Sequence, residues 1–234
     1  MKTIDVVLPV HNAYQFLVPC VESIYAYTKD FRLIIVDEDS TEPKVKEYCD
    51  YLVGYYPDNL LVRTGKQKWF TRASNIGLQL SRSEDVVLIN SDTVCAMGWL
   101  DELFAARESF LSNGAREINK GVAIVGSVWS NESPLRYQET FYNREPNYVT
   151  GHCLLLNRKA FEDLSTRRGT PGLWFNELEQ SQIHINSDRI ACYDLNKLGY
   201  STLISYKSHV EHHGGKSWNY DLGTVGQLKL SDVD

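Results

Sequence analysis

The 234-residue chain has no basic excess: 24 Lys and Arg stand against 30 Asp and Glu, a formal net charge of −6. No broad positive field is therefore on offer to nucleic acid or to an anionic membrane surface. Nor does any apolar run approach the ~20 residues that cross a bilayer. The opening "MKTIDVVLPVHN" is too short and too interrupted for a secretory leader, and it reads as a strand. The five cysteines, Cys20, Cys49, Cys95, Cys153 and Cys192, are odd in number, show no CxxC spacing and sit among apolar neighbours. That argues against a disulfide framework or a zinc ribbon and for reduced core thiols in a cytoplasmic protein. There is no internal repeat, no low-complexity tract and no linker long enough to divide the chain. What remains is a length that can bury one sizeable core and an apolar fraction of 43%, ordinary for a globular domain.

Short apolar runs alternate with helical patterns through the first half. "TIDVVLPV" (Thr3 to Val10), "FRLIIVD" (Phe31 to Asp37), "NLLVRT" (Asn59 to Thr64) and "DVVLIN" (Asp85 to Asn90) read as strands. Helical spacing lies between them, around Val21 to Tyr27, after Ser40 or Thr41 as N-cap with Pro43 in the first turn, and over Thr71 to Ser81. Pro19 is tolerable only near the first turn of its helix. Four βα alternations predict an α/β fold with a parallel sheet flanked by helices on both faces. In such sheets ligands lie beyond the carboxyl ends of the strands. Three of those ends carry distinctive polar groups, "PVHN" (Pro9 to Asn12), "DEDS" (Asp37 to Ser40) and "NSDT" (Asn90 to Thr93), which would converge on one crevice.

The second half changes character. A helix is expected over Met97 to Leu111, then strands over Gly121 to Ser130 and Tyr148 to Asn157 around a polar, aromatic-rich connection. Ser187 to Tyr200 reads as a helix stopped at Gly199, where a left-handed cap fits, and "STLISY" is a last strand. The tail from Lys207, rich in His, Gly and Trp, fits neither periodicity.

Each polar cluster also has an ordinary reading. Asp92 and Thr93 can solvate a turn or cap a helix, Asp37 to Asp39 can serve as first-turn acids, and Ser187 or Asp188 makes a good N-cap. Lys66, Lys68 and Arg72 on a loop are by default solvated, and Trp69 and Phe70 more often pack than bind.

Together and in order, however, "VVLPVHN", "IIVDEDST", "RASNIGLQLSRSEDVVLINSDT", "GHCLLLNRKAF", "SDRIACYDLNKLGY" and "VEHHGGKS" resemble the successive motifs of the family 2 glycosyltransferases. The resemblance runs from about Ile4 to Ser217. It implies the GT-A fold, a Rossmann-like, mostly parallel sheet flanked by helices in a single domain. Residues 1–217 would form it, with a nucleotide-sugar-binding half over 1–93, an acceptor-binding half over 94–217, and a tail over 218–234. It also implies transfer of a sugar from a nucleoside-diphosphate sugar, UDP-sugar above all, to an acceptor hydroxyl, with inversion and with Mn²⁺ or Mg²⁺.

Residue by residue, the resemblance puts Asp92 on the metal-binding position, with Asn90 where the family has its first Asp and Ser91 between them. Asp37, Glu38 and Asp39 would hold the nucleoside, with Pro9 and His11 near it. Arg72 and the N-terminal region of its helix suit a diphosphate, and Asn75 would support the donor site. Asp188 falls on the base position, eleven residues before Gly199, with Ser187 replacing the usual Glu. His212 or His213 would complete the metal site, and Lys216 and Ser217 would close over phosphates. His152 and His184 are left as structural or acceptor-side candidates. The acceptor, carbohydrate by default, with protein, a lipid carrier or modified nucleic acid as other hydroxyl sources, would meet Ser130 to Asn147 and Ser165 to Gln182, with Trp129, Trp174 and Phe175.

The substitutions at Asn90, Glu38 and Ser187 motivate a second hypothesis, a nucleotide-sugar-binding module with weak or no catalysis. A nucleotidyltransferase would bring a Gly-rich phosphate loop near the first strand, and "PVHNAYQF" has none.

Overall fold

The computed structural model describes residues 3–66, 69–112, 120–129, 149–177 and 187–214, with the side chains of Trp129 and Ser187 left out. The predicted roles of Lys68, His184, Lys216 and Ser217, of the connection 130–147, of 178–182 and of the tail 218–234 lie outside the described residues.

Among the described residues, eight strands form one sheet: β1 Ile4–Val10, β2 Phe31–Asp37, β3 Leu60–Arg63, β4 Asp85–Ile89, β5 Thr93–Cys95, β6 Val122–Trp129, β7 Cys153–Asn157 and β8 Ser201–His212. Six described helices accompany them: α1 Tyr14–Tyr27, α2 Pro43–Tyr55, α3 Trp69–Leu80, α4 Trp99–Ser112, α5 Arg158–Arg168 and α6 Ser187–Lys197. The strand order is β3-β2-β1-β4-β7-β6-β8-β5. β1 pairs in parallel with β2 and β4, and β2 with β3, as the βα alternation predicts. β7 runs antiparallel to both β4 and β6, so the sheet is mixed in its second half.

Side chains alternate between the two faces of the sheet, as the pleat requires. Val6, Leu8, Leu33 and Ile35 join Leu17, Val21, Ile24, Val45 and Leu103 in one core, under α1, α2 and α4. Val7, Ile34, Val86 and Leu88 join Leu78, Phe161, Leu164 and Leu195 in the other, under α3, α5 and α6. All five cysteines are free and buried. Burial pushes the thiols of Cys20 and Cys153 up to about 12, which makes them inert packing residues.

Two elements depart from the sequence pattern. α1 begins at Tyr14, so Pro19 sits inside the helix rather than in its first turn. β8 continues through Lys207 to His212, because its pairing with β6 jumps from Ser127–Ser205 to Val128–His209 across an irregularity that absorbs Tyr206 to Ser208. α6 stops as predicted, with Gly199 at φ 89° in the left-handed region.

The first two helices cap each other. Asn12 Oδ1 accepts the N–H groups of Thr41 and Glu42 at 2.7 and 3.0 Å. The Glu42 carboxylate in return accepts those of Ala13 and Tyr14 at 2.9 and 3.1 Å. Asn12 and Glu42, not Ser40 or Thr41, therefore hold the starts of α2 and α1.

The connection from β4 to β5 decides the shape of the sheet. β5 lies four places from β4 in the strand order, about 19 Å away in a flat sheet at the usual strand spacing. Only residues 90–92 join them, and the four Cα steps from Ile89 to Thr93 reach at most about 14 Å. The sheet must curl until its β5 edge returns toward the end of β4. Asn90, Ser91 and Asp92 lie where it closes.

Candidate active site

The order of strands reverses between β1 and β4, since β1 leads outward to β2 and β3 while β4 lies on its other side. The β1–β4 ladder ends at Val7–Leu88. Pro9, two residues on, has no N–H to extend it. A crevice at such a switch point is the usual ligand site of an open α/β sheet.

On the β2 side of this crevice the acidic turn is built rigidly. Asp37 is fully buried, with Oδ1 accepting from the Ser40 N–H at 3.0 Å and Oδ2 paired with Arg63 Nε at 3.3 Å. Glu38, also buried, donates its backbone N–H to Val10 at 2.8 Å. The Glu38 carbonyl accepts from His11 Nδ1 at 2.9 Å, which fixes the imidazole at the mouth of β1. Asp39 is exposed at φ 61° on the tip of the turn.

On the β4 side, the Asn90 carbonyl accepts from Thr93 Oγ1 at 2.8 Å and from the Cys20 thiol at 3.4 Å, so the turn is anchored from within and from α1. Ser91 and Asp92 are buried, and Asp92 Oδ1 lies 3.2 Å from His212 Nε2. Asn90 Nδ2 approaches the same His212 nitrogen at 3.3 Å. One ring nitrogen cannot donate to Asp92 and accept from Asn90 at once. Among the described residues, Asn90 Oδ1 is a buried side-chain oxygen with no hydrogen-bond partner. His213 takes part through its backbone N–H, which donates to the Asp92 carbonyl at 2.9 Å, while its ring lies against Phe16 at 5.1 Å.

Behind His212 lies a second imidazole. His152 is buried and stacks on the His212 ring with centroids 5.4 Å apart and planes 14° apart. Its Nδ1 meets Thr150 Oγ1 at 2.9 Å and its Nε2 meets Ser127 Oγ at 3.0 Å. Burial first, and the neighbouring His212 second, pull its pKa down to about 3, so this ring is neutral at ordinary pH. The motif "GHCLLLN" marked a strand entry but gave no sign that its histidine would meet one 60 residues later.

Asp188 stands in the first turn of α6, where its Oδ1 accepts the N–H of Arg189 at 2.8 Å. Its Oδ2 accepts the N–H of Gly151 at 2.7 Å. A Cβ on Gly151 would sit 3.0 Å from that oxygen, so an added methyl would push the carboxylate aside. Gly151 is the residue before His152, whose carbonyl accepts the Asn90 N–H at 2.9 Å. Two adjacent residues thus tie Asp188 to the end of β4.

Asn75 and Arg72 meet a partner that the sequence did not reveal. The buried Asn75 amide donates to the Phe175 carbonyl and Glu177 Oε1 and accepts the N–H groups of Trp174 and Phe175, all within 2.9–3.1 Å. Glu177 Oε2 pairs with Arg72 Nε at 3.4 Å on the half-exposed side. Asn75 thus fixes this segment against α3. Lys66 is exposed on the loop before α3.

A curled, mostly parallel sheet between helical layers, with an acidic turn after β2 and a carboxylate after β4, is the GT-A architecture. The chain belongs to the glycosyl transferase family 2, whose model matches residues 5–165, more than half of it. It is 26% identical over 168 residues to Glycosyltransferase GlyG of Streptococcus pneumoniae serotype 4, across 71% of this chain and 50% of that protein. Among solved structures it resembles the mannosyltransferase PcManGT of Pyrobaculum calidifontis in complex with GDP-Man and Mn²⁺, at a TM-score of 0.65 and 17% identity, over 93% of this chain and 60% of that one. It also resembles GalNAc-T7 with UDP, GalNAc and Mn²⁺, at a TM-score of 0.66 and 16% identity, over 91% of this chain and 44% of that one. This chain therefore spans half to three fifths of the length of the first of these relatives. No helix among the described residues is long and apolar enough to cross a membrane.

Proposed function

We propose that this chain moves a sugar from a nucleoside-diphosphate sugar, UDP-linked in the first instance, to an acceptor hydroxyl with inversion at the anomeric carbon. The observation that carries the reading is the meeting of Asn90, Asp92 and His212 at the end of β4, tied through Gly151 and His152 to Asp188. Residues 1–93 hold the donor in this reading and 94–217 the acceptor.

The residues at the end of β4 fit a divalent cation, although no group of three or more His, Cys, Asp and Glu side chains converges as a metal site among the described residues. Asp92 Oδ1 and His212 Nε2 stand 3.2 Å apart, and Asn90 Oδ1 is a buried oxygen without a hydrogen-bond partner among the described residues. Asp92, His212 and Asn90 would hold the cation, a carboxylate, an imidazole and an amide oxygen being groups that such ions accept. Mn²⁺ or Mg²⁺ held there supplies Lewis-acid stabilisation of the leaving diphosphate.

The chain's own residues supply the rest. The turn Asp37 to Asp39, with His11, receives the nucleoside against a frame already fixed by Ser40, Arg63 and Val10. Arg72 offers its guanidinium to the diphosphate, a role that the family resemblance also gives to Lys216 and Ser217. Asp188 accepts the proton of the attacking hydroxyl as its oxygen bonds to the anomeric carbon and the bond to the diphosphate breaks. Its two backbone hydrogen bonds aim the carboxylate and leave lone pairs for that proton.

The test is nucleotide release from UDP-, dTDP- and GDP-sugars with and without Mn²⁺, over a panel of carbohydrate acceptors. Release from a UDP-sugar that needs Mn²⁺, stops with EDTA and falls at least a hundredfold in Asp188→Asn is expected. Donor binding without release from any donor would replace this reading with the silent module, and a retained anomeric configuration would remove the single-base mechanism.

A further inference from the structure

His152 has no chemical role in the reading above, yet it meets His212, Asn90, Ser127 and Thr150. An apolar side chain would fill its buried position at lower desolvation cost, so the choice of imidazole calls for a reason. Both ring nitrogens are engaged, Nδ1 by Thr150 at 2.9 Å and Nε2 by Ser127 at 3.0 Å. Neither nitrogen is thereby aimed at Asp92, and the ring is locked about both side-chain torsions. Its face, not its edge, is offered to His212, in a near-parallel stack at 5.4 Å. Its carbonyl meanwhile holds the Asn90 N–H at 2.9 Å.

His212 needs such support. It is the last residue of β8, directly before the loop that starts at His213. Its Nε2 must point at Asp92 Oδ1 and Asn90 while the chain around it leaves the sheet. A wall that fixes the ring plane from behind determines where that nitrogen lies.

We propose that His152 is a positioning residue, which clamps the His212 ring beside Asp92 and sets the Asn90 backbone, so that the cation-binding atoms are assembled before the cation arrives. The inference rests on the proposed placing of a cation at Asp92 and His212. Ser127 and Thr150 are part of the clamp, because they stop the His152 ring from turning. Groups behind a metal-binding histidine commonly change metal affinity by about 10- to 100-fold.

The experiment uses the full chain as wild type, His152→Ala, the double variant Ser127→Ala with Thr150→Val, and His212→Ala. Manganese affinity is measured by electron paramagnetic resonance with UDP present. The His212 ring nitrogens are followed at one fixed pH, without metal, by ¹⁵N NMR. His152→Ala and the double variant should each bind Mn²⁺ about ten times more weakly, approaching His212→Ala, and should show shifted or broadened His212 ring signals. The double variant opens no large cavity and decides the matter if His152→Ala does not fold. Unchanged ring signals and unchanged Mn²⁺ affinity in a folded double variant would overturn the proposal. If the wild type binds no Mn²⁺, the cation reading falls, and the metal-free ring signals still decide whether His152 positions His212.

Discussion

Gly151 donates its backbone N–H to Asp188 Oδ2 at 2.7 Å, a contact so close that a side chain on the glycine would press on the carboxylate. An added methyl would sit 3.0 Å from that oxygen. The carboxylate is the movable partner, so Gly151→Ala should turn Asp188 aside rather than unfold the domain. Misplacement of a reacting group on the ångström scale costs on the order of 100-fold in rate. The expected outcome is a kcat reduced by roughly ten- to a hundredfold, with donor KM and thermal stability close to wild type. A large loss of Tm with kcat retained would show that the contact serves packing alone.

Asn75 holds three backbone groups of Trp174 and Phe175 as well as Glu177. Asn75→Ala strands those buried groups, each worth roughly 1 kcal/mol or more when unsatisfied. Urea unfolding should show a loss of about 3 kcal/mol. Glu177→Gln keeps an oxygen for Asn75 and removes only the half-exposed pairing with Arg72, so it should stay within about 1 kcal/mol of wild type. Equal losses from the two variants would contradict this division.

Asp5, the second residue of β1, carries a carboxylate that is almost wholly buried. Burial works to raise its pKa, but the Arg32 guanidinium at 2.7 Å and the N–H groups of Arg82 and Ser83 outweigh it and hold the group below its ordinary 3.8. A carboxyl with a depressed folded pKa adds stability above the unfolded value, and that stability is lost as pH falls through the folded one. Asp5→Asn should therefore cost about 2 kcal/mol at pH 7. Its unfolding curve should approach the wild-type curve as pH falls below 3.8. A gap that stays constant from pH 7 to pH 2 would count against this assignment.

The nucleotide-side half was legible because its signals are local. Val6 to Val10, Leu33 to Val36 and Val86 to Ile89 are continuous apolar runs buried on both faces, and each ends on the polar residues that define the crevice. The late part of β8 was hidden for the opposite reason: from Lys207 to His212 the one apolar residue is Val210, and the register with β6 is irregular, so no period of two shows there. β5 is three residues long, too short to show any period. α5, "RKAFEDLSTRR", carries so much charge that its buried Ala160, Phe161 and Leu164 do not stand out. Within the candidate site, Asp92 and Asp188 were singled out by the motifs that resemble the family's. The partners of Asn75 about 100 residues away, the stack of His152 on His212, and the reciprocal caps of Asn12 and Glu42 exist only once the chain is folded.

The three residues between β4 and β5 also act as a ruler. Their span fixes how far the sheet curls, because the β5 edge can stand no farther from β4 than that connection reaches. Side-chain identity there leaves that reach unchanged, whereas the count of residues sets it. An inserted residue would leave the chemistry of Asn90, Asp92 and His212 intact yet let the Thr93–His212 pairing slip by one place. Tolerance to insertion should consequently fall to its lowest at this turn.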